Sequence, residues 1–366
     1  MKRIAILMLI LFTCFIPAAW PQAQTKPQIT TFDAPGAGTG SGQGTAALGI
    51  SPAGAIAGNY LDANNVPHGF LRGRDGTITT LDAPGAGTGS GQGTNAFSIN
   101  PAGAIAGFDI DASDVNHGFL RAPDGTFTTF DVAAAGTSPG QGTSGLSINP
   151  IGAIAGQYLD PNNVFHGFLR APDGAITTFD APGAGTGPFQ GTLVVPVDGV
   201  NPAGAIAAGF FDASNVAHGF VRAPDGIFTT FDPPGSVSTN TSGINPVGTI
   251  TSFFADASSA FHGYVRAPDG TFTLFDVAGA GTGPGQGTEP SNINAPGDIA
   301  GAFIDPSGVN HGFLRLKSGT ITTFDVPGAG TGSGQGTIPI CNNPADAISG
   351  FAIDASGVAH GFLRTP

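Results

Sequence analysis

Apolar and polar positions along this chain alternate in short runs, each broken by turn residues before the next begins. Between 94 and 136 the runs cover 94–100, 104–110, 115–121 and 126–131. Asn100-Pro101-Ala102-Gly103 separates the first two, and Ala122-Pro123-Asp124-Gly125 separates the last two. Asn or Ala first, Pro second and Gly fourth suit a type I turn closed by a left-handed glycine, a common hairpin connection. Asp111-Ala112-Ser113-Asp114 makes a polar link between the middle pair. Runs rich in Thr, Phe, Ile and Val at this length predict strands, and no window sustains a helical period. The segment therefore predicts a four-stranded antiparallel meander. A Gly/Ala-rich loop leads from it through Gln141-Gly142-Thr143 into the next copy.

That unit recurs seven times. Each copy carries His-Gly-Phe/Tyr-Leu/Val-Arg, at His68, His117, His166, His218, His262, His311 and His360, with gaps of 49, 49, 52, 44, 49 and 49 residues. Four short strands every 49 or so residues predict an all-β, seven-bladed β-propeller. The phase of the repeats supports a ring. The first strand-like segment, Ile29-Thr30-Thr31-Phe32-Asp33, is the fourth strand of a unit, and the chain ends on a third strand, His360-Gly361-Phe362-Leu363-Arg364. The N-terminal strand is expected to complete the last blade and so hide two sheet edges. An open β-solenoid, the other architecture weighed, needs no such offset.

The turn fixes the register of the outer hairpin. Pairing Ala122 with Thr126 sets Arg121 opposite Phe127, Gly118 opposite Phe130 and His117 opposite Asp131. A histidine–aspartate pair is then expected in every unit: His68–Asp82, His117–Asp131, His166–Asp180, His218–Asp232, His262–Asp276, His311–Asp325 and, from opposite ends of the chain, His360–Asp33.

With their seven His-Gly-Phe/Tyr segments, Asn-Pro-x-Gly turns and Phe-Asp strand ends, the units resemble the extracellular repeat family named for its His-Ala-Phe motif. Glycine stands here in place of that family's alanine in every copy, and the resemblance spans nearly the whole chain beyond the first two dozen residues. It implies a secreted bacterial protein of propeller form, and brings no catalytic residues with it.

Composition adds a compartment. Lys2 and Arg3, the apolar stretch 4–16 and the small-residue segment 17–23 read as a signal peptide cleaved near Ala23, leaving 24–366 as one domain. Secretion or release into the periplasm is the expected outcome. No second apolar run is long enough to span a bilayer, and Cys341 is the sole cysteine beyond the leader. The formal charge of −13 becomes −15 once Lys2 and Arg3 are removed, which argues against nucleic acid as a partner. A monomer is expected.

Chemistry is harder to read. The histidine–aspartate pairs resemble half of a nucleophilic triad, but no repeated Ser or Cys accompanies them, so a structural role is expected. A second repeated acid, Asp62, Asp111, Asp160, Asp212, Asp256, Asp305 and Asp354, suits either calcium or turn capping, and no cofactor is otherwise implied. The seven repeated arginines are expected to cover apolar surface with their stems and to meet turn carboxylates such as Asp124 with their heads. The glycine-rich loops lack the helix or the Gly-Lys-Ser/Thr of a phosphate cradle. Selectivity is expected where copies differ, at the segments leading into the innermost strands. Phe97, Asp198, Glu289 and Cys341 are the candidate ligand-binding residues, at the mouth of the channel. One copy also has a loop, 233–242, that lacks the Gly-Gln-Gly of the others. The expected function is binding of an extracellular glycan or protein without catalysis. The alternatives are a lyase or hydrolase using acids at the channel mouth, and a structural surface or matrix component.

Overall fold

Among the described residues every regular element is a β-strand, and the reason lies in how the turns are built. The computed structural model describes residues 26–194 and 197–366; the leader lies outside the described residues. Strand β1 spans Gln28–Phe32, and the first full unit follows as β2 (Gly44–Ile50), β3 (Ile56–Leu61), β4 (Pro67–Arg72) and β5 (Ile78–Leu81). Units 2 to 6 repeat this order, with the first strand of unit 5 broken into Ser238–Thr239 and Gly243–Ile244, and successive strands within each pair antiparallel. Each hairpin turn is closed by its own side chain. Asn100 Oδ1 accepts from the N–H groups of Ala102 and Ala104, both at 3.0 Å, and Gly103 takes a φ of +85° that only glycine adopts without strain.

The outer hairpin has the register derived from its turn. Gly118 faces Phe130, Phe119 faces Thr129 and Arg121 faces Phe127, with Ala122 N–H donating to Thr126 O at 2.8 Å. A Cβ added to Gly118 would stand 2.6 Å from the Phe130 ring, so the aromatic ring occupies the space of the missing side chain. Unit 1 departs from this, because Leu81 stands where the other units have Phe.

Unit 7 has only three strands of its own, Gly336–Asn342, Ile348–Ile353 and Ala359–Thr365. Strand β1 supplies the fourth: Phe32 pairs with Gly361, Thr31 with Phe362 and Ile29 with Arg364. The strands are grouped in two hydrogen-bonded sheets, of seventeen and twelve.

Units pack face to face through apolar clusters and through arginine. Arg72, Arg170, Arg222, Arg266, Arg315 and Arg364 each lay the guanidinium 4.7–5.0 Å from the centroid of a Phe ring in the preceding unit. This corrects the expected ion pairs with turn aspartates, since among the described residues every ion pair within 4.0 Å involves histidine. A planar, weakly hydrated cation loses less by stacking on a buried ring than by reaching back across its own turn. Arg121 is the exception because its ring position holds Leu81; its Nη1 donates to Ala122 O at 3.3 Å, as that of the stacked Arg170 does to Ala171 O at 3.4 Å.

Candidate functional site

Three features offer chemistry: the innermost strands around the axis, the histidine girdle, and one irregular seam. The innermost strands end in Ile-Asn-Pro or a close variant in every unit. Together these ends line a cavity of about 180 Å³ on the axis. The asparagines form a ladder across units. Nδ2 of Asn100, Asn149, Asn201, Asn294 and Asn343 donates to the main-chain oxygen of Asn149, Asn201, Asn245, Asn343 and Ser51 respectively, at 3.0–3.4 Å.

Asp198 belongs to the three-residue insertion of unit 4, and that insertion reaches across the axis. Val197 N–H donates to Leu146 O of unit 3, and Ile244 N–H of unit 5 donates to Asp198 O. Val197 itself packs into the apolar cluster of units 1 and 7 that contains Ile50 and Cys341. Asp198 Oδ2 accepts from Asn292 Nδ2 of unit 6 at 2.8 Å, and Cys341 Sγ of unit 7 lies 3.5 Å from the same oxygen. Val197 and Asp198 both adopt positive φ, +63° and +49°. Burial pushes the Asp198 carboxyl above its ordinary range, and burial followed by the Asp198 charge pushes the Cys341 thiol well up.

The four candidate residues therefore part company. Asp198 and Cys341 meet each other inside the molecule, with Cys341 buried. Phe97 is the bulged residue between Ala96 and Ser98, stacks on Phe108 at 5.6 Å and packs against the core around Leu146. Glu289 is half-buried opposite Ala302, and burial raises its carboxyl pKa. Asn292, which sequence reasoning did not single out, bridges Asp198 and Cys341, with Nδ2 3.0 Å from Cys341 Sγ. Its signal was its alignment with Ser98 and Ser147 of other units.

On the outer hairpins each histidine stands between two carboxylates. Nδ1 lies 2.8–3.1 Å from Asp82, Asp131, Asp180, Asp232, Asp276, Asp325 and Asp33 in turn. Nε2 lies 3.5–3.9 Å from the aspartate of the adjacent turn. That turn aspartate is engaged twice over: Asp62 Oδ1 accepts from Asn64 and Val66 N–H, each at 2.8 Å, and its pKa is lowered, first by the Val66 hydrogen bond. Asp256 falls to about 2, led by the Ser258 hydroxyl. His117 and His262 are raised: burial opposes the cation, but the hydrogen bonds and charges of Asp131 and Asp276 prevail. Among the described residues no three His, Cys, Asp or Glu side chains converge as a metal cage.

One histidine has an unusual neighbour. Tyr60, Tyr158, Phe210, Phe254 and Phe303 place rings 4.9–5.3 Å from the histidine of their own units. In unit 2 that position is Asp109, paired with His117, 1 % exposed and with one oxygen lacking a hydrogen-bond partner. Burial raises its pKa to about 6.

The glycine-rich loops act as straps between units. Gln43 Oε1 accepts from Gly40 N–H and its Nε2 donates to Ala63 O, which holds the loop on its own unit. Gly42 N–H donates to Gly357 O and Ala359 N–H donates to Gln43 O, which bind it to the unit before. Six seams have such a strap, with main-chain oxygens of Asn65, Asp114, Asn163, Ser259, Gly308 and Gly357 as acceptors. The seam between units 4 and 5 has none. There the fourth-strand aspartate and the buried threonine that follows it, Asp232 and Thr239, are seven residues apart; elsewhere the distance is twelve. Pro233 also replaces a residue whose N–H bonds that threonine in the other units at 2.9 Å. Lacking this donor, Thr239 turns its hydroxyl to Asp232 Oδ1 at 2.6 Å.

Sequence comparison finds no matching family profile and no related curated protein. Solved structures share the fold. Virginiamycin B lyase from Staphylococcus aureus superposes with a TM-score of 0.58 at 16% identity, over 93% of this chain and 100% of that one. The BP39L lectin from Burkholderia pseudomallei gives 0.56 at 11% identity, over 88% and 96%. At such identities the likeness establishes architecture alone: the chain has a β-propeller fold.

Proposed function

We propose that the protein is an exported, closed seven-bladed β-propeller that binds an extracellular ligand, glycan or protein, and catalyses no reaction. Closure is supported by the pairing of β1 with Ala359–Thr365, by the bond from Asn343 to Ser51 that links unit 7 back to unit 1, and by an insertion from unit 4 that touches units 3, 5, 6 and 7. Export is supported by the character of residues 1–23.

One observation carries the binding reading over the catalytic one. The repeated ionisable groups are engaged with one another, seven times in the same way, while the one seam without a strap is left open. A hydrolase or lyase needs an acid or base aimed at a substrate. Asp198 is instead committed to Asn292 and Cys341, and each histidine faces carboxylates on both sides. Screening the full chain against a glycan array and by pull-down from extracellular protein should return a ligand. Failure to bind anything, together with turnover of a polysaccharide or peptide that is lost in Glu289→Gln, would replace this reading with the enzymatic one.

A further inference from the structure

The unstrapped seam contains a cavity of about 330 Å³, at the small end of the roughly 300–1,000 Å³ of ligand pockets. We infer that it is a single binding site for one residue of a neutral carbohydrate; this rests on the proposal that the protein is a binding module.

The cavity exists because of two departures from the repeat. The missing Gly-Gln-Gly uncovers the edge of unit 4. Val216 is only partly buried there, whereas its counterparts Val66, Val115, Val164, Val309 and Val358 are all buried. Ala217 lines the cavity, and no strap carbonyl receives its N–H, as Gln43, Gln141, Gln190, Gln286 and Gln335 do for the equivalent N–H elsewhere. The insertion of unit 4 supplies the second departure, since Leu193 and Val194 lead into it and form part of the wall.

The chemistry of the wall selects the ligand class. Leu146, Val194 and Phe211 present an apolar side, and Gln157, Asn240 and Thr241 a neutral polar one; no ionisable side chain takes part. Thr241 is the decisive group. Its hydroxyl is buried, 6 % exposed, and has no hydrogen-bond partner. The neighbouring Tyr264 phenol gives its proton to Asn240 O at 2.6 Å and bears on the Thr241 hydroxyl only as a weak acceptor, so no donor reaches the Thr241 oxygen. An unpaired buried hydroxyl is costly and is satisfied by a ligand that donates or accepts there. A sugar ring matches both sides, with C–H faces for the apolar wall and hydroxyls for Thr241 and the free N–H of Ala217. The absence of charge disfavours uronic acids, sialic acids and phosphates.

The test uses the full chain and three variants. Thr241→Val removes the hydroxyl at nearly constant volume and is expected to weaken binding of the neutral glycan found on the array by about tenfold, the loss of one buried hydrogen bond. Ala217→Trp fills the cavity and should abolish it. Replacing 233–238 by the twelve-residue-spaced strap of unit 6 should also abolish binding and leave the unfolding midpoint equal or higher, which separates loss of site from loss of fold. Undiminished glycan affinity in the strapped variant would overturn the site while leaving the binding reading intact. Binding only of a protein, or only of acidic glycans, would overturn the ligand class. Binding of nothing at all would overturn both.

Discussion

Two single-residue departures from the repeat give direct tests of the forces within and between units. Leu81 is the only fourth-strand end that is not Phe, and Arg121 is the only repeated arginine without a ring beneath it. Leu81→Phe is expected to give Arg121 that ring and to cover Gly69 as Phe130 covers Gly118. The gain should be about 0.5–1 kcal/mol, read as a raised unfolding midpoint in urea. Arg121→Leu in the same background should remove the gain; an equal gain without Arg121 would assign it to packing alone. Asp109 is the second departure. Its folded pKa, about 6, lies above that of an unfolded aspartate, so its contribution is fully present below the ordinary carboxylate range and is lost as pH rises through 6. Asp109→Phe, which restores the ring stacked on histidine in five other units, should therefore stabilise the protein by about 2 kcal/mol at pH 8 and by much less at pH 4. Denaturation curves of both proteins at the two pH values decide it. The turn aspartates act in the opposite sense. Their lowered pKa values mean stability held above the ordinary carboxylate range and lost as pH falls through their folded values, which for Asp256 is about 2.

At the scale of elements, the hairpins were legible because turn chemistry and strand period agree: Asn-Pro-x-Gly and Ala-Pro-Asp-Gly each admit one register, and the Phe-over-Gly pairing follows from it. What lay beyond reach was contact between units. Arginine stacking depends on a distant ring in the preceding unit, and no local pattern distinguishes it from an ion pair with a turn aspartate. The three-residue insertion was visible as a change in spacing, but its path over the axis to Cys341 was not, because length alone gives no direction. Strand β1 belongs to the legible part, and its role is open to a direct test. A chain beginning at Ala34 leaves the edge of Ala359–Thr365 bare and strips Arg72 of Phe32 and His360 of Asp33. The truncated protein is expected to lose roughly 3 kcal/mol of stability or more and to self-associate through the open edge. Size-exclusion chromatography would report this, and a peptide covering 26–36 should return it to the elution position of the intact chain. A truncated protein with an unchanged midpoint would mean that β1 is an ornament on the last sheet.

For the molecule as a whole, the repeat is a means of building walls, and its breaks decide where anything else happens. Seven copies of one meander supply a girdle whose charges answer one another, so no copy is singled out by the shared residues. The two indels both fall at unit 4 and its junction with unit 5, and each has a separate consequence: the insertion occupies the axis, and the shortened loop opens the seam. If the axis is occupied in solution, Cys341 is sealed there by Val197 and Asp198. Its thiol, buried and raised above its usual pKa, should resist iodoacetamide and Ellman's reagent at pH 8 in a native chain prepared without residues 1–23, which carry Cys14, and react with one equivalent in denaturant. Asp198→Asn should keep the thiol protected and raise stability at neutral pH, with the advantage shrinking toward pH 4, because the aspartate itself is disfavoured as an anion. Replacing the insertion with the direct link of unit 3 removes the cover and should make the thiol reactive without unfolding the protein. Rapid labelling of the intact native chain would instead mean that the insertion leaves the axis and that the channel is open, which would move the search for a ligand from the seam back to the centre.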